Sequence, residues 1–263
     1  MACNSCHNLY TVNERLSILE VRLLGAFDVR SDEGLIHISG RHEQSLFAYL
    51  LLNGNIYHRR EKLASLLWPD SSDDSARENL RHILWRIRKA LPSPPTFEYL
   101  HTDDIAIAFN TSTNLWLDVS ILKAAGECKY ADELIAALSV YKGELLPGFY
   151  DNWVSLEREY LNYIFEHNMA RLMAFLRSEC RWLDIMEWGE RWLSFGQKSE
   201  PAYRALMHAY MEKGEMSKVA DTYTRCVRSL GEIGLEPSEQ TKDLFEELKG
   251  GRVHKTVEIQ KTR

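Results

Sequence analysis

The period of the apolar positions changes several times along this chain. From Ser17 it is close to two. Leu19, Val21 and Leu23 share one face of a short strand, and AFDVR, a turn at Ser31-Asp32-Glu33-Gly34 and LIHI predict a further pair of strands. From Ser39 the spacing becomes helical. RHEQSLFAYLLLN brings Leu46, Phe47, Leu50 and Leu51 together, with Gly54 as the expected C-cap, and RREKLASLLW turns Leu63, Leu66 and Leu67 inward before Pro69 stops it. A third helix is predicted over Ser75–Leu91, SARENLRHILWRIRKAL, with Leu80, Leu84, Ile87 and Leu91 in one stripe and Ile83 beside them. Pro92, Pro94 and Pro95 end it. FEYL and DIAIAFN then read as a hairpin with Thr102-Asp103-Asp104 at its tip. A leading sheet, three helices and a hairpin make the plan of a winged helix, in which the third helix lies in the major groove.

From Asp118 the chain reads as helical throughout. Residues 166–180 align with 200–214, and 181–193 with 215–227, at a constant offset of 34. Leu172 then meets Leu206, Met173 meets Met207, Ile185 meets Val219 and Arg191 meets Arg225. This is the period of the tetratricopeptide helix pair, which stacks into a superhelix with a concave surface. A long helix is expected from about Trp153, a shorter one before it around Ala136–Tyr141, and a closing helix in SEQTKDLFEEL. The fold class is therefore mainly α: an N-terminal winged helix-turn-helix followed by a TPR-like all-α repeat domain. The expected segments are a disordered leader over 1–16, a winged-helix DNA-binding domain over 17–117, a TPR-like helical domain over 118–249 and a tail or linker over 250–263. The aromatic residues Trp153, Tyr160, Tyr163, Phe165, Trp182, Trp188 and Trp192 are expected to be core between stacked helices.

Charge sharpens this picture. Residues 17–120 hold 11 Lys/Arg against 14 Asp/Glu, and residues 121–249 hold 16 against 22. Against that acidic background the third helix carries Arg77, Arg81, Arg86, Arg88 and Lys89 with the single acid Glu78. A basic helix on an acidic chain points to a polyanion, because phosphate affinity needs local rather than global positive charge. Ser75-x-x-Glu78 reads as a capping box at its start, with Asp73 and Asp74 favourable to the helix dipole. The apolar runs are too short for a membrane span. No secretory leader is evident, and an odd number of scattered cysteines suits a reducing compartment, so a cytoplasmic protein is expected. Cys3-x-x-Cys6-His7 has the form of a c-type haem attachment string or of half a zinc site, but nothing completes the zinc set; no metal or cofactor is expected.

Two sets of residues resemble the antibiotic regulatory protein (SARP) family of bacterial transcription factors. The first set is VRLLGAFDV, the LxxLLW of Leu63–Trp68 followed by Pro69-Asp70, and Leu80-Arg81-x-x-Leu84-x-x-Ile87-Arg88-x-x-Leu91. The second is Tyr141-x-Gly143-Glu144-Leu145-Leu146-x-Gly148, Trp153 with Glu157-Arg158-Glu159, Glu200-Pro201-x-Tyr203-Arg204-x-Leu206-Met207 and Gly234-Leu235-Glu236-Pro237. The resemblance spans about residues 18–249. It implies an OmpR-type winged helix joined to a bacterial transcriptional activator domain, hence a regulator that binds double-stranded promoter DNA and RNA polymerase and whose helical part mediates self-association, as in a homodimer, or contacts other proteins. Carried over by position, Arg77, Arg81, His82 and Trp85 face bases, and Arg86, Arg88 and Lys89 face phosphates, although Arg88 is close enough to the apolar stripe to brace the domain instead. Pro69, Asp70, Ser71, Ser72, Asp73 and Asp74 match a loop that touches polymerase. The acidic hairpin tip departs from a wing that tracks DNA.

Two other classes are weighed. A protein-interaction scaffold, with a winged helix that does not bind DNA, would suit the acidic tip but not the clustered cations. An enzyme is not expected: no GxSxG, HExxH, P-loop or GxGxxG string occurs.

Overall fold

The computed structural model describes residues 18–93, 97–196 and 198–260, with backbone alone over 251–260. The Cys3/Cys6/His7 string, Pro94 and Pro95 lie outside the described residues. Two compact units form, and they interleave along the chain. The first takes residues 18–123 and 140–161; the second takes 124–139 and 162–260.

The first unit opens with β1 (Leu19–Arg22), β2 (Asp28–Ser31) and β3 (Gly34–Leu35). Then come α1 (Arg41–Leu52), the two-residue β4 (His58–Arg59), α2 (Arg60–Leu67) and α3 (Asp73–Ala90). β5 (Leu100–Thr102) and β6 (Ala106–Phe109) make the hairpin, and β7 (Leu115–Leu117) follows. Two sheets result, in the orders β3-β2-β1-β7 and β4-β6-β5. β7 returns parallel to β1, with Val21 opposite Leu117. The winged-helix expectation holds, but of the LIHI stretch only Leu35 is strand, and Gly34 of the expected turn joins it. Gly54 does not cap α1: Asn53 occupies the C-cap, and Asn55, at φ 61°, makes the left-handed turn. Leu46, Phe47 and Leu50 of α1, Leu63 and Leu67 of α2, and Ile107 and Phe109 of β6 are buried. The Phe47 and Phe109 rings meet edge-on at 5.9 Å.

The end of β1 anchors two distant segments. Asp118, buried after β7, accepts the backbone N–H groups of Leu23 and Leu24 at 2.8 Å each and that of Val119 at 2.7 Å. Burial pushes its carboxyl up to about 6, against the pull of those three donors. On the other side of β1, Gly25 N–H donates to Glu144 and Leu146 N–H donates to Leu23, both at 2.9 Å. A side chain at Gly25 would stand 2.8 Å from the Lys142 backbone, so only glycine allows this approach. Arg158 holds the same loop by donating to the carbonyls of Leu145, Leu146 and Phe149. The Tyr141–Gly148 motif is thus a clasp on the first sheet, which is why residues 140–161 join that unit.

The second unit is built from α5 (Ala131–Leu138), the later part of α6 (Asn152–Ser178), α7 (Trp182–Ser194), α8 (Glu200–Glu212), α9 (Met216–Gly231) and α10 (Glu239–Gln260). A short helix, α4 (Asp118–Ala124), precedes them. The 34-residue register is visible at the turns. Arg181 N–H bonds to Leu176 and Glu215 N–H to Tyr210, both at 2.9 Å, and Cys180 (φ 54°) and Gly214 (φ 75°) are the matching left-handed residues. The paired core positions Leu172 and Leu206, Met173 and Met207, and Ile185 and Val219 are all buried. Phe165, Trp188 and Trp192 are core as expected, whereas Tyr160 and Tyr163 are exposed. Glu200 of α8 fastens α10: it accepts from Ser238 N–H (2.9 Å) and Thr241 Oγ1 (2.5 Å), and Arg204 donates to Thr241 at 2.8 Å. Among the described residues no helix is long and apolar enough to cross a membrane.

Cys180 sits where its repeat partner is a glycine, in a conformation that costs a β-carbon about 1–2 kcal/mol. Cys180→Gly is expected to raise stability by about 0.5–1 kcal/mol, after the entropy of the added glycine in the unfolded chain is subtracted. Urea denaturation of the two proteins checks this.

Candidate nucleic-acid interface

α3 begins at Asp73, two residues before the expected start. Its N-cap is Ser72, whose hydroxyl accepts from Ser75 N–H at 3.4 Å. The Ser75–Glu78 capping box is therefore not formed. Glu78 lies one turn in and pairs across the surface with His82 at 3.8 Å. Ser72 wins because it puts Asp73 and Asp74 into the first turn, where the dipole favours acids. Consequently only Pro69–Ser72 are loop, and Asp73 and Asp74 belong to the helix; all six residues from Pro69 to Asp74 are exposed.

The apolar stripe is seated as expected: Leu80, Ile83, Leu84, Ile87 and Leu91 are buried, with Ala76 added at the start. All seven candidate residues, Arg77, Arg81, His82, Trp85, Arg86, Arg88 and Lys89, are exposed. At about 100° per residue, Glu78, Trp85 and Lys89 point directly away from the stripe. His82 lies to one side of them, followed by Arg86. Arg81, Arg88 and Arg77 lie to the other. Trp85 is 60% exposed, and the Lys89 ammonium stands 5.1 Å from its ring centre.

The cations divide into two groups. Arg86 donates to Glu43 of α1 at 2.8 Å, and the Glu43 side chain is only 6% exposed. That carboxylate fills the space beside Gly40, where an added Cβ would stand 1.7 Å from it. Arg88 donates to the Thr102 hydroxyl on the wing. Arg77, Arg81 and Lys89 make no hydrogen bond or ion pair among the described residues. Arg86, expected at a phosphate, ties α3 to α1, and Arg88, expected either at a phosphate or as a brace of the domain, ties α3 to the wing.

The acidic wing tip has an internal cause. The Asp103 carboxylate accepts from Ile105 N–H (2.7 Å) and Ala106 N–H (2.6 Å), closing the turn, and its pKa falls because of those two donors. The Asp103 carbonyl accepts from Arg60 at the start of α2 at 2.8 Å. Residue periodicity marks neither Arg60 nor Glu43. Each answers a group far off in the chain, and the only local hint is an acid three residues after Gly40. Trp68, the last residue of the LxxLLW string, stacks on His42 at 5.0 Å, tying α2 to α1.

These features define a winged helix-turn-helix protein with one exposed cationic helix and a helical-repeat unit. Residues 121–249 match the family described as the bacterial transcriptional activator domain. The fold is similar to that of Mycobacterium tuberculosis EmbR, solved in complex with a low-affinity phosphopeptide: TM-score 0.68, 18% identity, covering 89% of this chain and 66% of that one. The chain thus spans just under two thirds of the length of EmbR. A comparison with curated proteins found no match. Together the matched domain and the shared fold bear out the resemblance to SARP-type transcriptional regulators.

Breaking the Glu43–Arg86 pair leaves a carboxylate out of water without a cation. Arg86→Ala is expected to destabilise the protein by about 1–3 kcal/mol, less than a fully buried pair because the arginine faces solvent. Adding Glu43→Gln should recover most of the loss. Thermal or urea melts of the single and double variants read both effects.

Proposed function

We propose that this chain is a sequence-specific DNA-binding transcriptional activator, with residues 17–117 as the DNA-binding domain and 118–249 as the domain for self-association or partner contact. α3 enters the major groove of double-stranded promoter DNA. Arg77, Arg81, His82 and Trp85 face base edges, where arginine reads guanine by a bidentate pair, and Lys89 meets a phosphate. Arg86 and Arg88 act as positioning residues. The observation that carries this reading is the exposed face of α3, whose uncommitted cations are held on a winged-helix frame by others that are committed. Pro69–Ser72 with Asp73 and Asp74 offers an acidic surface to a basic patch on RNA polymerase. The protein acts in the cytoplasm with no catalytic step or cofactor. The scaffold reading is favoured by the acidic wing tip and by the excess of acids over residues 17–120, but it leaves the clustered cations of α3 unexplained.

Each uncommitted cation that meets a phosphate releases about one counterion. Binding to duplex DNA from the protein's own upstream region should therefore weaken steeply between about 50 and 200 mM salt. Lys89→Ala should flatten the slope by about 1, whereas Arg77→Ala should relax the preference at one base position. Fluorescence anisotropy across a salt series measures it. No binding at low salt from a protein shown to be folded overturns the proposal.

A further inference from the structure

The helical unit carries a groove of about 440 Å³ between α6, α8 and α10. It exists because small side chains occupy the facing positions: Ala170 and Ala174 on α6, Pro201 and Ala205 on α8. Met173 and Leu244 are buried beneath it. These three helices hold equivalent places in the repeat, so the groove runs along the face that successive repeats build together. The Glu200 network on Ser238 and Thr241 fixes α10 as its third wall.

The two rims differ in sign. On the α6 side stands Arg177; on the α10 side stand Asp243 and Glu247. None of these three makes a hydrogen bond or ion pair among the described residues, although elsewhere in this unit exposed charges commonly pair, as Arg225 does with Glu190 at 2.7 Å and Arg181 with Asp132 at 2.7 Å. Arg204 also lines the groove; it donates to Thr241, and its charge is answered by the Glu200 carboxylate 3.9 Å away. His208 lies between the rims. Burial, and then Arg177, push its pKa down, against the upward pull of Glu212 and Glu247. The open charges are thus one cation facing two anions across a floor of apolar atoms. A nucleic-acid strand would meet two carboxylates here, and a purely apolar helix would bury three unanswered charges.

We propose that this groove binds an extended peptide segment of a partner protein that carries a Lys or Arg and, within a few residues, an Asp or Glu. The basic side chain lies against Asp243 and Glu247, the acidic one against Arg177, and the aliphatic stems cover the Ala170–Ala174–Ala205 floor. The site is separate from α3 and does not depend on DNA binding.

A random heptapeptide library displayed on phage, panned against the full chain, tests the chemistry, and synthetic peptides of the enriched sequence, measured by fluorescence anisotropy, test the site. The expected consensus pairs a basic with an acidic residue. Glu247→Lys and Arg177→Glu should each weaken binding of that peptide at least tenfold, with unchanged thermal melts because both residues are exposed. A peptide with its own acid and base exchanged should regain affinity for the double variant Arg177→Glu/Glu247→Lys. Ala174→Trp, an exposed helical position, should block the groove sterically and abolish binding. No enriched sequence, an enriched sequence without charge, or binding indifferent to the charge reversals overturns the proposal, whatever the outcome of any DNA-binding experiment.

Discussion

The carboxylate of Glu43 is almost wholly withdrawn from water, and the cation that answers it is Arg86. An ion in that position must be paired, and its pairing determines how α3 lies on α1. The apolar stripe of α3 supplies the adhesion, but a stripe of Leu and Ile tolerates small rotations. The Glu43–Arg86 contact on one flank and the Arg88–Thr102 contact on the other remove that freedom. Between them the helix presents Arg77, Arg81, His82, Trp85 and Lys89 in one orientation. A side chain that reads a base edge must be held to within a fraction of an ångström, so cations that never touch a ligand can still decide whether the others do.

The wing belongs to the same arrangement. Its tip is acidic, and the Asp103 carboxylate closes its own turn while its carbonyl receives Arg60. The tip is therefore a brace between α2 and α3. If DNA affinity comes from a single helix, as proposed, the domain can remain acidic overall while presenting a local positive face. The helical unit follows a different logic. There each repeat supplies one wall and one turn, and the left-handed positions Cys180 and Gly214 show that the backbone geometry repeats even where the side chain does not.

Much of this is legible along the chain, wherever a physical demand is local and periodic. The α3 stripe from Leu80 to Leu91 has to be buried, and it is. The 34-residue register locates both helix pairs, because stacked repeats impose the same core positions twice. What is not legible depends on contacts across long separations. β7 is three residues long, and its partner β1 lies almost a hundred residues earlier, so no local pattern marks it. The N-terminus of α3 offers Ser72 and Ser75 three residues apart, and local pattern does not separate a dipole-favoured cap at Ser72 from a capping box at Ser75. Arg86 lies on the exposed face with its neighbours, and only the fold brings Glu43 to it. Gly25 and the Tyr141–Gly148 motif are both visible in the sequence, but not their meeting, which needs the chain to return to β1 from the far side of the helical segment.

The central claim is that α3 reads base sequence through Arg81 and its neighbours. The most direct measurement is selection of binding sites from a random duplex library by the native chain and by Arg81→Ala in parallel. The expected result is one enriched site for the native chain, and for the variant the same site with its preference for guanine lost at one position. No enriched site for a folded native chain, or an identical preference from both proteins, would contradict it.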